Sequence, residues 1–485
     1  MILHGGPIYT MDPRLPRVGA LAIADGLVAG GVDVREGGAD AVGHQRIDLD
    51  GRCMLPGFCD AHVHFLSWAL ERTQLELEGA ASMAEALRDV AEAGGDGWLR
   101  GHGWVSEAWP DGPPTAAALD DVTGERPAAL WAHDHHALWV NSAALRRAGM
   151  EGHEGLVRER EAWDFPLPQP TPLECSRAVR AAMAAANARG VVAVHDYERE
   201  GGRGLWLRLD GDRRLTLRVH MSLPAERLGA AVATELRSGF GSDLLRVGPV
   251  KAFMDGTLGS GTAWMLDGSG EVLTSADELA AIAREASASG LSLAVHAIGD
   301  GANRAALDAL EATRVQWEQV PVPPRIEHAQ CVDDADLGRF AALGITASMQ
   351  PAHARSDREL ADRLWGERAR CGYRWRDLLR SGAHLAFGSD APIEDLDPLA
   401  GIDAAVNRDW YPEQRLDVAD AVLAFTAGAA HAVGDHRRRG LLLPGYAADL
   451  VVLDTDILAH PDRITAARVE ATMLAGRWVH HPPPW

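Results

Sequence analysis

GFCDAHVHF, residues 57–65, sets two histidines two residues apart at the end of an apolar run. In an extended strand successive side chains alternate faces, so Asp60, His62 and His64 share one face while Ala61, Val63 and Phe65 share the other. Two imidazoles on one face can reach one ion. Taken alone, the motif also suits two unrelated core or surface histidines.

Seven further apolar runs end in polar residues in the same way: GVVAVHDYE (190–198), LTLRVHMSL (215–223), VGPVKAFMDG (247–256), LSLAVHAIGD (291–300), PRIEHAQ (324–330), ITASMQPAH (345–353) and HLAFGSDAP (384–392). Segments of helical character separate most of them. SADELAAIAREASASG and DDADLGRFAALG carry acidic starts and glycine ends, which mark helix boundaries. Strand and helix alternation implies parallel strands, and eight of them suffice for an α/β fold of the (β/α)8 TIM-barrel type. The polar strand ends then face the C-terminal mouth, where barrel enzymes keep their chemistry.

Two regions fall outside such a barrel. Residues 1–56 read as short strands (PIYTM, ALAIADGLVAGG, QRIDLDGRCML), and their natural mate is the C-terminal stretch 436–485, with GLLLPGYAADLVVLDTD and RVEATMLAGRWVHH. If both ends supply strands to one composite sheet domain, the barrel, 57–435, sits inside it as an insertion. The second region, about 66–170, interrupts the first two barrel strands and is too long for an ordinary loop. It holds Trp68, Trp98, Trp104, Trp109, Trp131, Trp139 and Trp163, seven of the 15 tryptophans, which either pack the insertion or line a pocket.

Composition narrows the partners. In 485 residues, 47 basic side chains against 69 acidic ones give a net charge of −22, which repels nucleic acid and suits a small-molecule substrate. Hydrophobic residues at 47% and charged residues at 24% are those of an ordinary globular protein. The five cysteines are odd in number, scattered and never in a C-x-x-C pair, so neither a disulfide framework nor a thiolate zinc site is expected. No apolar run approaches about 18 residues, and no basic start precedes an apolar stretch. The expectation is a cytoplasmic protein without membrane contact, and apolar stretches of the insertion leave room for a homodimer.

The polar strand ends collect into one constellation: His62, His64, Lys251, His296, His328 and Asp390. A single histidine is more often a satisfied core group than a ligand. Several at successive strand ends are difficult to explain by packing and point to metal binding.

GFCDAHVHF, VKAFMDGTLGSGTAW, LAVHAIGDGANRAALDAL, PRIEHAQ, FGSDAPIEDLDP, TAGAAHAVG and GLLLPGYAADLVVLD, with HDHHALWVNSAALRRAG in the insertion, resemble the amidohydrolase superfamily. The resemblance is to its YtcJ-like branch, which includes N-substituted formamide deformylases, and covers nearly the whole chain. It implies a (β/α)8 barrel with a composite β-sandwich and a binuclear metal-dependent hydrolase of non-peptide C–N bonds, such as a small amide or N-substituted formamide.

Carried over, His62 and His64 bind the more buried ion, His296 and His328 the more exposed one, and Asp390 completes the first site. Lys251 bridges the two as a carbamate formed with carbon dioxide, because an ammonium cannot ligate a cation. The alternative is an unmodified lysine in a salt bridge beside one ion. The implied ions are two zinc, with manganese, iron or nickel also suited to these ligands. Metal-activated hydroxide attacks the carbonyl, and Asp390 passes the proton to the departing nitrogen. Trp104 in RGHGW, His136 in HHALWVNS and Gln350 in SMQP match family segments near the substrate. Asp255 and Asp300, each followed by glycine, read as turn residues, and His195 as structural. The family's common GSRTA stands here as GSGTA, with Gly261 in place of a long basic side chain.

Two other functions fit parts of the pattern. A mononuclear deaminase of the same superfamily usually carries a glutamate three residues after the fifth-strand histidine, where this chain has Gly299. A metal-stabilised binding or regulatory protein needs the ligands without turnover.

Overall fold

The computed structural model describes residues 1–32, 45–106, 109–133, 137–199 and 201–483. Two compact units emerge, one of Met1–Phe65 with Met183–Trp485 and one of Leu66–Ala182.

The first unit contains the barrel. Its strands are, in chain order, Phe58–Val63 (β1), Val191–Asp196 (β2), Arg218–Pro224 (β3), Leu245–Phe253 (β4), Leu293–Ala297 (β5), Arg325–His328 (β6), Thr346–Met349 (β7) and His384–Phe387 (β8). Each pairs in parallel with its successor, from β1 to β8. All eight apolar runs of the sequence supply one of these strands. Beyond β8 the chain returns to β1: the Asp390 amide donates to the His62 carbonyl (2.7 Å), and the His64 amide to the Ala391 carbonyl (2.8 Å). These bonds bring the last strand's exit against the first strand's end.

Local chemistry fixes the intervening helices. Ser275 caps the helix Ala276–Ala288 by accepting from the Glu278 amide, while the Glu278 carboxylate accepts from the Ser275 amide, a reciprocal capping box. The helix Leu337–Leu343 ends at Gly344, whose φ of 69° lies in the left-handed region that a glycine enters without a Cβ penalty.

Both chain ends build the composite domain. Its strands are hydrogen-bonded in the order Arg477–His480, Val469–Leu474, Leu450–Leu453, Cys53–Pro56, Ile2–Tyr9, Arg17–Ala24 and Leu27–Val32, with Arg46–Asp48 also pairing with Ile2–Tyr9. Leu3, Leu21, Val28, Met54, Leu450, Val452 and Met473 form its fully buried core. Cys53–Pro56 runs almost directly into β1, so the domain and the barrel share a continuous stretch of chain. Arg218 at the start of β3 is buried and bound to Asp449 (Nε to Oδ2, 2.7 Å) and Asp243 (Nη1 to Oδ2, 2.6 Å), tying the two together.

The unit Leu66–Ala182 has its own five-stranded sheet, ordered Leu156–Arg158, Ala137–Val140, Ala128–Ala132, Leu99–Trp104 and Leu75–Glu76. Trp104, Trp109 and Trp139 pack against one another with ring centroids 6.0–6.4 Å apart. Their indole N–H groups donate to the carbonyls of Leu130, Ala80 and Thr115 at 2.8–2.9 Å. WVNSAALRRAG is a strand end, the N-cap Asn141, the helix Ser142–Ala148 and Gly149. Among the described residues no helix is long and apolar enough to cross a membrane.

Candidate metal centre

The face that carries Asp60, His62 and His64 in the sequence leads to the C-terminal end of the barrel. His62 Nε2 and His64 Nε2 stand 3.6 and 3.4 Å from Asp390 Oδ1. One ligand atom from each of these three residues lies within 4.8 Å of the others. The rings of His296 and His328 are adjacent (4.5 Å), and His328 is also beside His62 (4.9 Å). The structure thus brings together side chains from β1, β5, β6 and the segment after β8.

Hydrogen bonds set which nitrogen of each imidazole is free. Glu327 Oε2 lies 2.6 Å from His62 Nδ1, so Nδ1 carries the proton and Nε2 keeps a lone pair. The Gln350 side-chain oxygen does the same to His328 Nδ1 at 2.9 Å. His296 is reversed: its Nε2 donates to the Gly256 carbonyl (3.0 Å), leaving Nδ1 free. Burial, then the positive charge of Lys251, pushes His62 down to about 4 and His296 down to about 3. Burial also lowers His328 well below the usual imidazole range. At neutral pH these three are unprotonated, which is the ligating form.

The carboxylates move the other way. Burial would raise Asp390, but His353, His62 and His64 outweigh it and hold the group ionised far below its ordinary range. Burial of Glu327 is likewise outweighed by Arg325 and His62. Glu327 is fully buried and also accepts from Tyr197 Oη (3.0 Å), while Arg325 donates to it, to His195 Nδ1 (2.8 Å) and to the Ala61 carbonyl (2.7 Å). His195 therefore has a structural place in this network.

Lys251 on β4 is 5% exposed, and no hydrogen-bond acceptor reaches its Nζ among the described residues. The nitrogen lies 4.7 Å from the centre of the Tyr197 ring, which in turn stacks on His62 at 4.3 Å. Burial lowers its pKa to about 8. A buried amine with no acceptor is a site of unmet polar chemistry. Free imidazole lone pairs, an ionised carboxylate and this unpartnered amine fit a divalent cation with nitrogen and oxygen ligands.

The backbone is strained at two of the candidate ligands and at the residue after one of them. His328 (φ 70°), Ala329 (φ 41°) and Asp390 (φ 61°) occupy the left-handed region although none is glycine. Such conformations cost of order 1–3 kcal/mol each and persist where surrounding bonds over-determine them.

The family model described as the amidohydrolase family matches residues 45–480. The chain belongs to the amidohydrolase family. The chain is 30% identical to the protein LONG AFTER FAR-RED 3 of Arabidopsis thaliana, over 99% of this chain and 91% of that one. It is 29% identical to the putative amidohydrolase YtcJ of Bacillus subtilis, over 99% of each. It is 27% identical to the N-substituted formamide deformylase of Arthrobacter pascens, over 94% of this chain and 93% of that one. Among solved structures, a metal-dependent hydrolase from Pyrococcus furiosus matches with a TM-score of 0.82 and 31% identity, covering 94% of this chain and 99% of that one.

The remaining sequence candidates divide. Gln350 sits at the site, with its side-chain nitrogen buried and without a hydrogen-bond partner among the described residues. Trp104 is packed in the core of the Leu66–Ala182 unit, with its N–H committed to Leu130. His136 lies outside the described residues. Gly261 faces open space. Asp255 accepts from the amides of Trp264, Ile298 and Gly299 (2.8–3.1 Å), and Asp300 from that of Leu266 (2.7 Å), so both fasten the loop after β4 onto the end of β5. That loop fills the place of any side chain at Gly299: a Cβ there would lie 2.0 Å from the Trp264 carbonyl oxygen. The backbone thus leaves no room for a glutamate side chain at Gly299.

Sequence reasoning missed Glu327, Tyr197, Arg325 and His353. Arg325 and Glu327 alternate on one face of PRIEH, a signal of a buried ion pair. Nothing in the sequence pointed that pair toward His62, 265 residues away.

Proposed function

We propose that this amidohydrolase is a metal-dependent hydrolase of C–N bonds other than peptide bonds, acting on a small amide or N-substituted formamide. The observation that carries the reading is the convergence of His62, His64 and Asp390 Oδ1 beside the unpartnered Lys251. The names of the Arthrobacter pascens and Pyrococcus furiosus relatives support it.

His62, His64 and Asp390 would hold one divalent ion, and His296 and His328 a second. Zinc suits both sets, as do manganese, iron and nickel. Lys251 would join them as a carbamate: its neutral amine would bond to the carbon of carbon dioxide and release one proton to solvent, leaving two oxygens that share a single negative charge. Burial, which keeps a fraction of the amine unprotonated near neutral pH, favours that step. Such ions supply Lewis acidity toward a carbonyl oxygen and a water molecule.

The chain's own groups supply the proton transfers. Asp390, ionised at rest, accepts a proton from the attacking water and delivers it to the leaving nitrogen, a poor leaving group until protonated. The Gln350 amide nitrogen, buried and without a partner among the described residues, would serve as a donor for a substrate carbonyl. The net charge of −22 disfavours polyanionic substrates, and a cytoplasmic setting, in which the five free cysteines stay reduced, belongs to the same proposal.

The test is a panel of N-substituted formamides, amides and lactones incubated with metal-loaded protein. Equal release of amine and acid from a formamide or amide supports the reading. Hydrolysis of lactones alone overturns the C–N assignment, and no hydrolysis at all returns the chain to a binding role.

A further inference from the structure

Asp390 uses its two carboxylate oxygens differently. Oδ1 faces His62 Nε2 and His64 Nε2, whereas Oδ2 faces His353 Nε2 at 3.5 Å. His353 is met on its other side as well, with Nδ1 3.5 Å from Glu394 Oε1. The Ser356 hydroxyl donates to that same Glu394 oxygen. One imidazole, 7% exposed, therefore stands between two carboxylates and links the helical turn His353–Ser356, just after β7, to the segment beyond β8.

The backbone of Asp390 is already fixed by its bond to the His62 carbonyl and by its left-handed φ. What remains is rotation about its two side-chain torsions. Left alone, the two oxygens are equivalent and exchange places. With Oδ2 set against His353, only Oδ1 faces the histidine pair. A ligand oriented before the ion arrives loses less freedom on binding, which is why the partners of ligands affect affinity. A histidine that merely filled space would not require a carboxylate at both nitrogens.

We propose that His353 is a positioning residue for the metal centre: it orients Asp390 so that Oδ1 alone meets the cation, and Glu394 anchors the imidazole. This rests on the reading of His62, His64 and Asp390 as ligands.

The test is Zn²⁺ binding to the full-length chain after chelator treatment, measured by competition with a chromophoric chelator. The parent is compared with His353→Ala, His353→Gln and Glu394→Gln, with a thermal melt of each. His353→Ala should bind Zn²⁺ about 10- to 100-fold more weakly. His353→Gln, whose amide can still donate to Oδ2, should recover part of that loss, and Glu394→Gln should show a smaller loss of the same sign. Parental affinity in His353→Ala overturns the proposal, as does equal weakness in the Ala and Gln variants, which would show that a donor facing Oδ2 does not set the affinity. Should His353→Ala not fold, Glu394→Gln carries the test, and parental affinity there overturns it. A parent that binds no Zn²⁺ overturns the metal-centre reading and this one with it; a parent that binds and variants that match it overturn the positioning role alone.

Discussion

Glu327 Oε2 lies 2.6 Å from His62 Nδ1 at the bottom of the site, where both side chains are shut off from solvent. The contact joins the sixth strand to the first and decides which nitrogen of His62 faces Asp390. Glu327 also balances the buried guanidinium of Arg325. Replacing Glu327 by Gln removes the charge while keeping the shape. Leaving Arg325 buried and unpaired should cost about 3–5 kcal/mol, seen as a lower denaturant midpoint. An unchanged midpoint would contradict this account of the network.

Asp390→Asn separates two tasks. An amide oxygen still reaches toward His62 and His64, yet it cannot take up the proton that the leaving nitrogen needs. We expect turnover to fall about 10²- to 10⁴-fold with metal content much less affected. Elemental analysis beside a rate measurement checks this, and near-normal turnover would remove Asp390 from the proton path.

Gly299 is held against the loop after β4. Its Cβ position collides with backbone, not with a flexible side chain, so Gly299→Ala forces that loop to move. The expected cost is about 1–3 kcal/mol, measured by denaturant unfolding. Gly299→Glu should unfold more readily still and gain no deaminase activity; a stable Gly299→Glu variant would show that the loop yields.

Acid should loosen the junction of barrel and composite domain. Asp435 is buried beside His220, Arg246 and Arg439. Burial raises its pKa, but hydrogen bonding to His220 and the charge of Arg439 win and hold it below the ordinary carboxylate range. A carboxylate whose folded pKa is depressed adds stability above its unfolded value, about 3.9, and that stability is lost as pH falls through the folded value. Stability should therefore decline below about pH 4, and Asp435→Asn should lower it at pH 7 while flattening that decline. Parallel pH curves for parent and variant would contradict the assignment.

The barrel was legible because each strand is a short buried run flanked by turns, and because polar residues cluster at one strand end. GFCDAHVHF alone implied a shared face for His62 and His64, and HLAFGSDAP put Asp390 at the end of another strand of the same barrel. The Leu66–Ala182 unit was legible only as an excess of length rich in tryptophan: Trp104 looked equally suited to a pocket, and only its packing on Trp109 and Trp139 with a satisfied N–H shows its place in a core. Glu327, Tyr197 and His353 were silent because their roles arise from contacts across the barrel, between strands far apart in sequence. A lone histidine four residues past a strand end, as His353 is, carries no mark of the two carboxylates it meets.

The central claim is a binuclear centre bridged through Lys251. Elemental analysis of protein never exposed to chelator, native chain beside Lys251→Ala, tests it most directly. The account predicts about two divalent ions per chain in the native protein, falling to one or none in the variant. One ion per chain, unchanged by the substitution, would contradict the lysine bridge, and none in either protein would contradict the metal centre itself.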